Sequence, residues 1–281
     1  MNKSKIQNKN TKLDKNTKQK KTKKQLIINN KNISILSYNI SWESVSGSDK
    51  KWSLCNNNTD KSNPKHFSVC VNNISSVFDN NNILDFITLQ EATDYHKLIN
   101  ESSRLKNMKY EVHKSGLDTI VTFSDSKYKL QNKIVGEFED GRPWMATLYK
   151  SGTIDRLCIV NVHMGHYNTE EEFNKLVEMM IEIKKGIEIK EIKENKRNKI
   201  RYIISGDFNY NIKEFGDSRN SFKLDNTKFY FNPTHILTCC INRRKHNDHV
   251  IDSLRSPIDI TIPKVNYMAS DHKPILVEIK L

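Results

Sequence analysis

From residue 33 onward, short apolar runs alternate with polar breaks. Ile33-Ser34-Ile35-Leu36-Ser37-Tyr38-Asn39-Ile40 has the composition of a β-strand, and residues 47–65, rich in Ser, Asn and Lys with Pro64, read as a loop. Phe67, Val71, Ile74 and Phe78 recur at helical spacing and predict an amphipathic helix over 66–79. A buried strand is expected over Ile83–Leu89, and further strands over Thr119–Phe123, Trp144–Tyr149, Arg156–Val162, Arg201–Ser205, His235–Ile241, His249–Leu254 and Ile275–Ile279. Thr169-Glu170-Glu171-Glu172 is a capping box that opens a second helix. Its apolar stripe is Phe173, Leu176, Met180, Ile183 and Ile187, and Lys193, Lys196, Arg197 and Lys199 stand at its end, where the helix dipole favours cations. This helix joins two predicted strands, so a crossover unit is expected. There are more strands than a simple βαβ series uses, which favours an α/β fold with mixed sheets and helices outside.

Charge divides the chain. It carries a formal +13, of which residues 1–25, with ten lysines and only Asp14 in opposition, hold +9. The remainder carries +4. Those 25 residues contain three apolar side chains, Met1, Ile6 and Leu13, too few to offset the entropy of ordering them. Residues 1–30 are therefore expected to be a disordered Lys/Asn-rich basic tail, and 31–281 a single domain. The run Lys18–Lys24 suits a nuclear address or a nucleic-acid arm. An equal case can be made from composition alone, because 33 Asn and 37 Lys against 9 Arg point to AT-rich coding. No stretch of 18 apolar residues predicts a membrane span, and no charged-then-apolar leader opens the sequence. Five irregularly spaced cysteines (55, 70, 158, 239, 240) fit reduced thiols in an intracellular, non-secreted protein. No obligate protein partner is evident.

Polar residues recur where the apolar strands stop. Asn39, Glu91, Asn161 with His163, and Asp207 with Asn209 each end a strand, and Asp271-His272 precedes the last one. Ligands of α/β folds bind near the carboxyl ends of strands, so these side chains could meet at one site. Carboxylates and amides without cysteine suit a hard cation, Mg²⁺ or Mn²⁺. The histidines suit acid–base work or the neutralisation of phosphate charge. Singly, each piece also reads as a turn residue or a surface ion pair. Their common position after apolar strands is what argues for a site.

The segments Ser37-Tyr38-Asn39-Ile40, Leu89-Gln90-Glu91, Asn161-Val162-His163, Gly206-Asp207-Phe208-Asn209, Asn247-Asp248-His249-Val250-Ile251 and Ser270-Asp271-His272-Lys273-Pro274-Ile275 resemble, in order, the motifs of the endonuclease/exonuclease/phosphatase superfamily, whose type member is deoxyribonuclease I. The resemblance spans residues 33–281. It implies a four-layer α/β sandwich, two mixed sheets packed face to face with helices outside, and metal-dependent cleavage of a phosphoester. Glu91 would be the main metal ligand, with Asn39 beside it and Asp271 close by. Asp207 would orient or deprotonate the attacking water, and Asn209 would hold a phosphate oxygen. His163 and His272 would contact the scissile phosphate, and Asp248 would fix the tautomer and charge of His272. Arg142, in Gly141-Arg142-Pro143-Trp144, is a weaker candidate for a phosphate contact, equally read as a turn arginine. Asp118 is a candidate partner for His163, although a loop acid is the plainer reading. Ser41 stands where the superfamily's abasic-site nucleases carry an acid, and Asp248-His249 where Asp-Tyr is common, so that branch is not the one resembled. A nuclease acting on DNA or RNA is the expectation. The alternatives are a phosphatase or phosphodiesterase of the inositol-phosphate or sphingomyelin type, and a non-catalytic nucleic-acid-binding protein.

Overall fold

Successive side chains of a strand point to opposite faces, and this alternation sorts the chain into layers. The structure is a computed structural model, and it describes residues 32–46, 55, 66–81, 83–116, 118–150, 156–166, 169–194, 200–210, 221–232, 237–239, 245–255, 258–264 and 269–280. The basic tail, most of the 47–65 loop and the cationic residues after Glu194 lie outside that set.

The first sheet holds β1 (Asn32–Asn39), β2 (Phe86–Gln90), β3 (Lys109–Ser115), β4 (Asp118–Ser124), β12 (Ile258–Thr261) and β13 (Ile275–Lys280), in the order β12-β13-β1-β2-β4-β3. The second holds β5 (Lys129–Glu137), β6 (Pro143–Lys150), β7 (Leu157–His163), β8 (Arg201–Asp207), β9 (Ser221–Leu224), β10 (Thr227–Asn232) and β11 (Asp248–Asp252), in the order β5-β6-β7-β8-β11-β10-β9. Both are mixed. β1 runs parallel to β2 and β7 parallel to β8, while the other pairings are antiparallel. Helices α1 (Trp42–Ser46) and α2 (His66–Asp79) connect the first parallel pair, and α5 (Thr169–Glu194) the second; α3 (Tyr95–Glu101) and α4 (Ser103–Lys106) follow β2.

Three apolar clusters hold the four layers together. Ile33, Ile35, Phe86, Ile159, Ile203, Val250 and Val277 pack between the sheets. The intervening residues of the same strands face outward: Leu36, Tyr38, Ile87 and Leu89 pack under α2 with Ile74 and Phe78, and Cys158, Val160 and Ile204 pack under α5 with Leu176, Met180, Ile183 and Ile187. The helix predicted over 66–79 is observed over those residues, and α5 begins at the capping box.

Two sequence expectations change. No strand forms over the described part of 235–241, where Cys239 makes only isolated bridges to Lys245 and His272. The expectation of reduced thiols is also corrected: Cys55 and Cys70, whose Cα atoms lie 5.1 Å apart, are joined in a disulfide, while Cys158 is free and buried. That separation lies within the range a disulfide can bridge. No helix among the described residues is long and apolar enough to cross a membrane.

Candidate active site

The inter-sheet face of each central strand changes from apolar to polar toward one end. On β1 the series is Ile35, Ser37, Asn39; on β2, Phe86, Thr88, Gln90; on β7, Ile159, Asn161, His163; on β8, Ile203, Ser205, Asp207. These strands share a direction, so their polar ends gather at one edge of the sandwich. Just beneath that edge the sheets are tied together by polar contacts, Gln90 Nε2 to Asn161 Oδ1 (2.7 Å) and Thr88 Oγ1 with Ser205 Oγ (3.1 Å). Asn161 also donates to the carbonyls of Leu89 and Val121. Its place is therefore between the sheets, below the site.

The backbone turns sharply as it leaves the strands. Ser41, Glu91 and Asn209 have φ of 56°, 55° and 52°, an uncommon conformation for residues with a Cβ and one that concentrates at functional sites. Gly206 lets β8 approach β7 closely, since a Cβ there would sit 2.0 Å from the Val162 carbonyl oxygen.

Above this edge lies a cavity of about 450 Å³, lined by Glu91, Arg142, His163, Asp207, Asn209, Asp271 and His272 among others. Asn39 and Asp248 are buried against its floor. The structure thus brings every sequence-predicted site residue together. Asn39 Nδ2 donates to Glu91 Oε1 (3.0 Å) and to Asp207 Oδ2 (2.9 Å), while its Oδ1 accepts from the Ser41 amide. In this orientation Asn39 positions the two carboxylates instead of offering its oxygen as a ligand. Asp207 Oδ1 accepts from the Asn209 amide, and Asn209 Nδ2 donates to the Met164 carbonyl. His272 Nδ1 meets Asp248 Oδ2 at 3.1 Å, and its Nε2 lies 3.4 Å from Asp207 Oδ2. His163 Nδ1 is hydrogen-bonded to Asp118 Oδ2, and its Nε2 contacts Arg142 Nη1. Asp118, a candidate partner of His163 from sequence although a loop acid is the plainer reading there, is thus bonded to it.

Several known proteins are similar to the chain in sequence or in fold. No family model matches the chain. A curated relative, the uncharacterized protein L684 of Acanthamoeba polyphaga mimivirus, is 27% identical over 263 residues, covering 87% of this chain; the chain spans about half the length of that relative (50%). Among solved structures, truncated TDP2 of Caenorhabditis elegans superposes with a TM-score of 0.58 at 14% identity, covering 89% of this chain and 98% of its own. ANGEL2, described as a 2',3'-cyclic phosphatase, gives 0.60 at 15% identity over 90% and 96%. An endonuclease/exonuclease/phosphatase family protein of Bacteroides thetaiotaomicron gives 0.56 at 16% over 88% and 94%. The fold is that of the endonuclease/exonuclease/phosphatase superfamily.

Within this superfamily fold the site's charges are balanced by burial and by pairing. Burial opposes charge on His272, but Asp207 and Asp248 outweigh it and raise the imidazole to about 10. Burial would raise Asp207, yet His272 and His163, with hydrogen bonds from Asn39 and the Asn209 amide, hold it below its ordinary value. Burial pushes Asp248 up to about 6 against the pull of His272. At neutral pH the three therefore carry an imidazolium between two carboxylates. Among the described residues, Asp207, Asp248 and His272 form a group whose ligand atoms all lie within 4.8 Å of one another, close enough to surround an ion. Further oxygen donors stand on the cavity side. Glu91, at 23% side-chain exposure, and Asp271 both line it, with Asp207 beside them. Hard carboxylate oxygens of this kind suit Mg²⁺ or Mn²⁺.

Sequence reading missed Trp42, Glu43, Asp140 and His166, which also line the cavity. Trp42 and Glu43 stand three and four residues after Asn39, and that nearness was the available signal. Asp140 and His166 lie on loops, and nothing in their neighbourhood announced them.

Proposed function

We propose that this chain is a divalent-metal-dependent phosphodiesterase that cleaves nucleic acid, DNA or RNA. One observation carries the reading: the two histidines, each bonded to its own carboxylate, face the same cavity as Glu91, Asp207 and Arg142. Hydrolysis of a phosphodiester builds negative charge on oxygen, and preorganised cations and donors around the phosphorus lower that barrier. The fold shared with ANGEL2, described as a 2',3'-cyclic phosphatase, supports phosphoester hydrolysis. The basic balance of the whole chain, +13, supports a polyanionic substrate.

Glu91, with Asp207 and Asp271, would hold the cation, which when bound supplies Lewis-acid neutralisation of phosphate charge. The chain's own groups do the remaining work. His272, anchored through Nδ1 by Asp248, presents Nε2–H to a phosphoryl oxygen. Asp207, stripped of rotational freedom by Asn39 and the Asn209 amide, orients the attacking water and accepts its hydrogen bond. His163 spends its Nδ1–H on Asp118, which leaves Nε2 as an acceptor toward Arg142. Arg142 then directs guanidinium N–H groups at the substrate from a fixed position. Asn209 has a second amide hydrogen after its bond to Met164, and it can donate that to a phosphate oxygen.

The test is a substrate panel with purified protein and Mg²⁺: plasmid, single-stranded DNA, RNA, inositol phosphates and sphingomyelin. Cleavage confined to the nucleic acids supports the proposal. Turnover of only a small or lipid phosphoester contradicts it.

A further inference from the structure

Trp42 is exposed where tryptophan is seldom left exposed without a use. It lines the cavity with 43% of its surface open, whereas Trp144 is buried at 2%. Its backbone is held tightly. The Trp42 amide donates to Glu91 Oε2 (3.3 Å), the oxygen paired with the one Asn39 holds. Ser41, one residue before, gives its amide to Asn39 Oδ1 and its hydroxyl to Glu43 Oε2 (2.9 Å). On the other side of Trp42, Ser44 is bonded to the Ala269 carbonyl and Val45 is buried under the first sheet. The backbone that carries the indole is thus fixed one hydrogen bond away from the carboxylate at the centre of the site.

The charge of the cavity says what that platform would hold. Glu43, Glu91, Asp118, Asp140, Asp207 and Asp271 all line it, and among the described residues that line it Arg142 is the sole lysine or arginine. Phosphates flanking the scissile one would meet carboxylates there, so the flank cannot be gripped mainly by charge. An aromatic face remains, and every nucleobase can stack on one irrespective of sequence. In a continuous duplex both faces of each base are already stacked on neighbours. A base can therefore stack on Trp42 only from a single strand or a frayed end.

We infer that Trp42 is a specificity-determining residue that stacks an unpaired nucleobase next to the scissile phosphate, and that the substrate of this site is single-stranded nucleic acid. The inference rests on the phosphodiesterase reading above and narrows it.

The experiment compares wild-type, Trp42→Phe and Trp42→Ala proteins with Mg²⁺ on three substrates. These are a single-stranded oligonucleotide, the same strand with base-free residues around the cleaved bond, and a blunt duplex of that sequence. Thermal unfolding of each variant confirms that it is folded. Wild-type protein should prefer the intact single strand over both others. Trp42→Ala should raise KM on the intact strand about tenfold or more, the scale of losing one stacked base, with a much smaller change in kcat. Trp42→Phe should recover part of that loss. On the base-free strand the penalty of Trp42→Ala should shrink. An equal penalty with and without bases, or a fall in kcat alone, would overturn the stacking role while leaving the phosphodiesterase reading intact. Wild-type protein that cleaves the duplex as readily as the strand would overturn the single-strand assignment. Wild-type protein that cleaves none of the three would remove the phosphodiesterase reading and this inference with it.

Discussion

At the scale of single residues, the site depends on side chains that act through one another. His272 sits between Asp207 and Asp248, so its charge is a property of the group. His272→Ala should reduce kcat by about 10² or more, the usual scale for a charge-stabilising or acid–base group. Asp248→Asn should cost less, and the double variant should be little worse than His272→Ala alone, because residues acting as a unit are not additive. Steady-state rates of the three variants give the cycle, and additive losses would separate the pair. The direction of the pH effect follows from the same pairing. His272 is raised in the folded protein to about 10, so the stability its charge confers is fully present below the ordinary histidine range and is lost as pH rises toward that value. Removing the Asp248 charge lowers the folded value. The alkaline limb of the kcat/KM profile should therefore move to lower pH in Asp248→Asn, and an unmoved limb would show that Asp248 does not set the charge of His272.

At the scale of elements, strand register decides which residues meet. β8 and β11 pair antiparallel so that Asp207 lies opposite Asp248, and the same pairing places Arg201 and Asp252 at the far end of the two strands. There Arg201 Nε and Nη2 donate to the two oxygens of Asp252 at 3.0 and 2.7 Å, both side chains being buried. Asp252→Ala leaves a buried guanidinium without that carboxylate, which costs about 3–5 kcal/mol. Urea denaturation should show that loss as a lowered midpoint, and a midpoint within error of wild type would mean that the pair is not holding the strands. The sequence made this part of the fold legible because central strands carry continuous apolar runs. It also exposed the site, because Ile203-Ser205-Asp207 and Ile159-Asn161-His163 show the apolar-to-polar change on one face. β3 and β5 were not legible. They are edge strands whose exposed positions are filled by residues such as Lys109, Lys129 and Lys133, so neither an apolar run nor a clean alternation marks them. The Asp118–His163 pair, 45 residues apart in sequence, and the disulfide between Cys55 and Cys70 depend on tertiary approach, which local pattern does not encode.

At the scale of the whole molecule, charge and chemistry occupy different places. The cavity is rich in carboxylates, whereas residues 1–25 carry +9. We propose that this segment supplies general attraction for a polyanion while the domain supplies cleavage. Deleting residues 1–25 should weaken oligonucleotide binding about equally for all sequences. It should flatten the dependence of log affinity on log salt by about 0.7–0.9 for each phosphate that the lysines no longer neutralise. The rate at saturating substrate should hold, because Glu91, Asp207 and His272 lie in the domain. Binding measured across a salt series for both proteins checks this, and an unchanged slope would assign the lysines to composition alone.

The central claim is that Glu91 and its neighbouring carboxylates hold a divalent cation that phosphodiester cleavage requires. Its most direct measurement is hydrolysis of one single-stranded oligonucleotide by wild-type protein and by Glu91→Gln, first in EDTA and then with excess Mg²⁺ or Mn²⁺. Glutamine keeps the shape of the side chain and removes its charge. The account predicts no turnover in chelator, recovery of the wild-type protein on adding metal, and a loss of about 10² or more in Glu91→Gln that metal does not restore. Full wild-type activity in EDTA, or a Glu91→Gln protein as active as wild type, would contradict it.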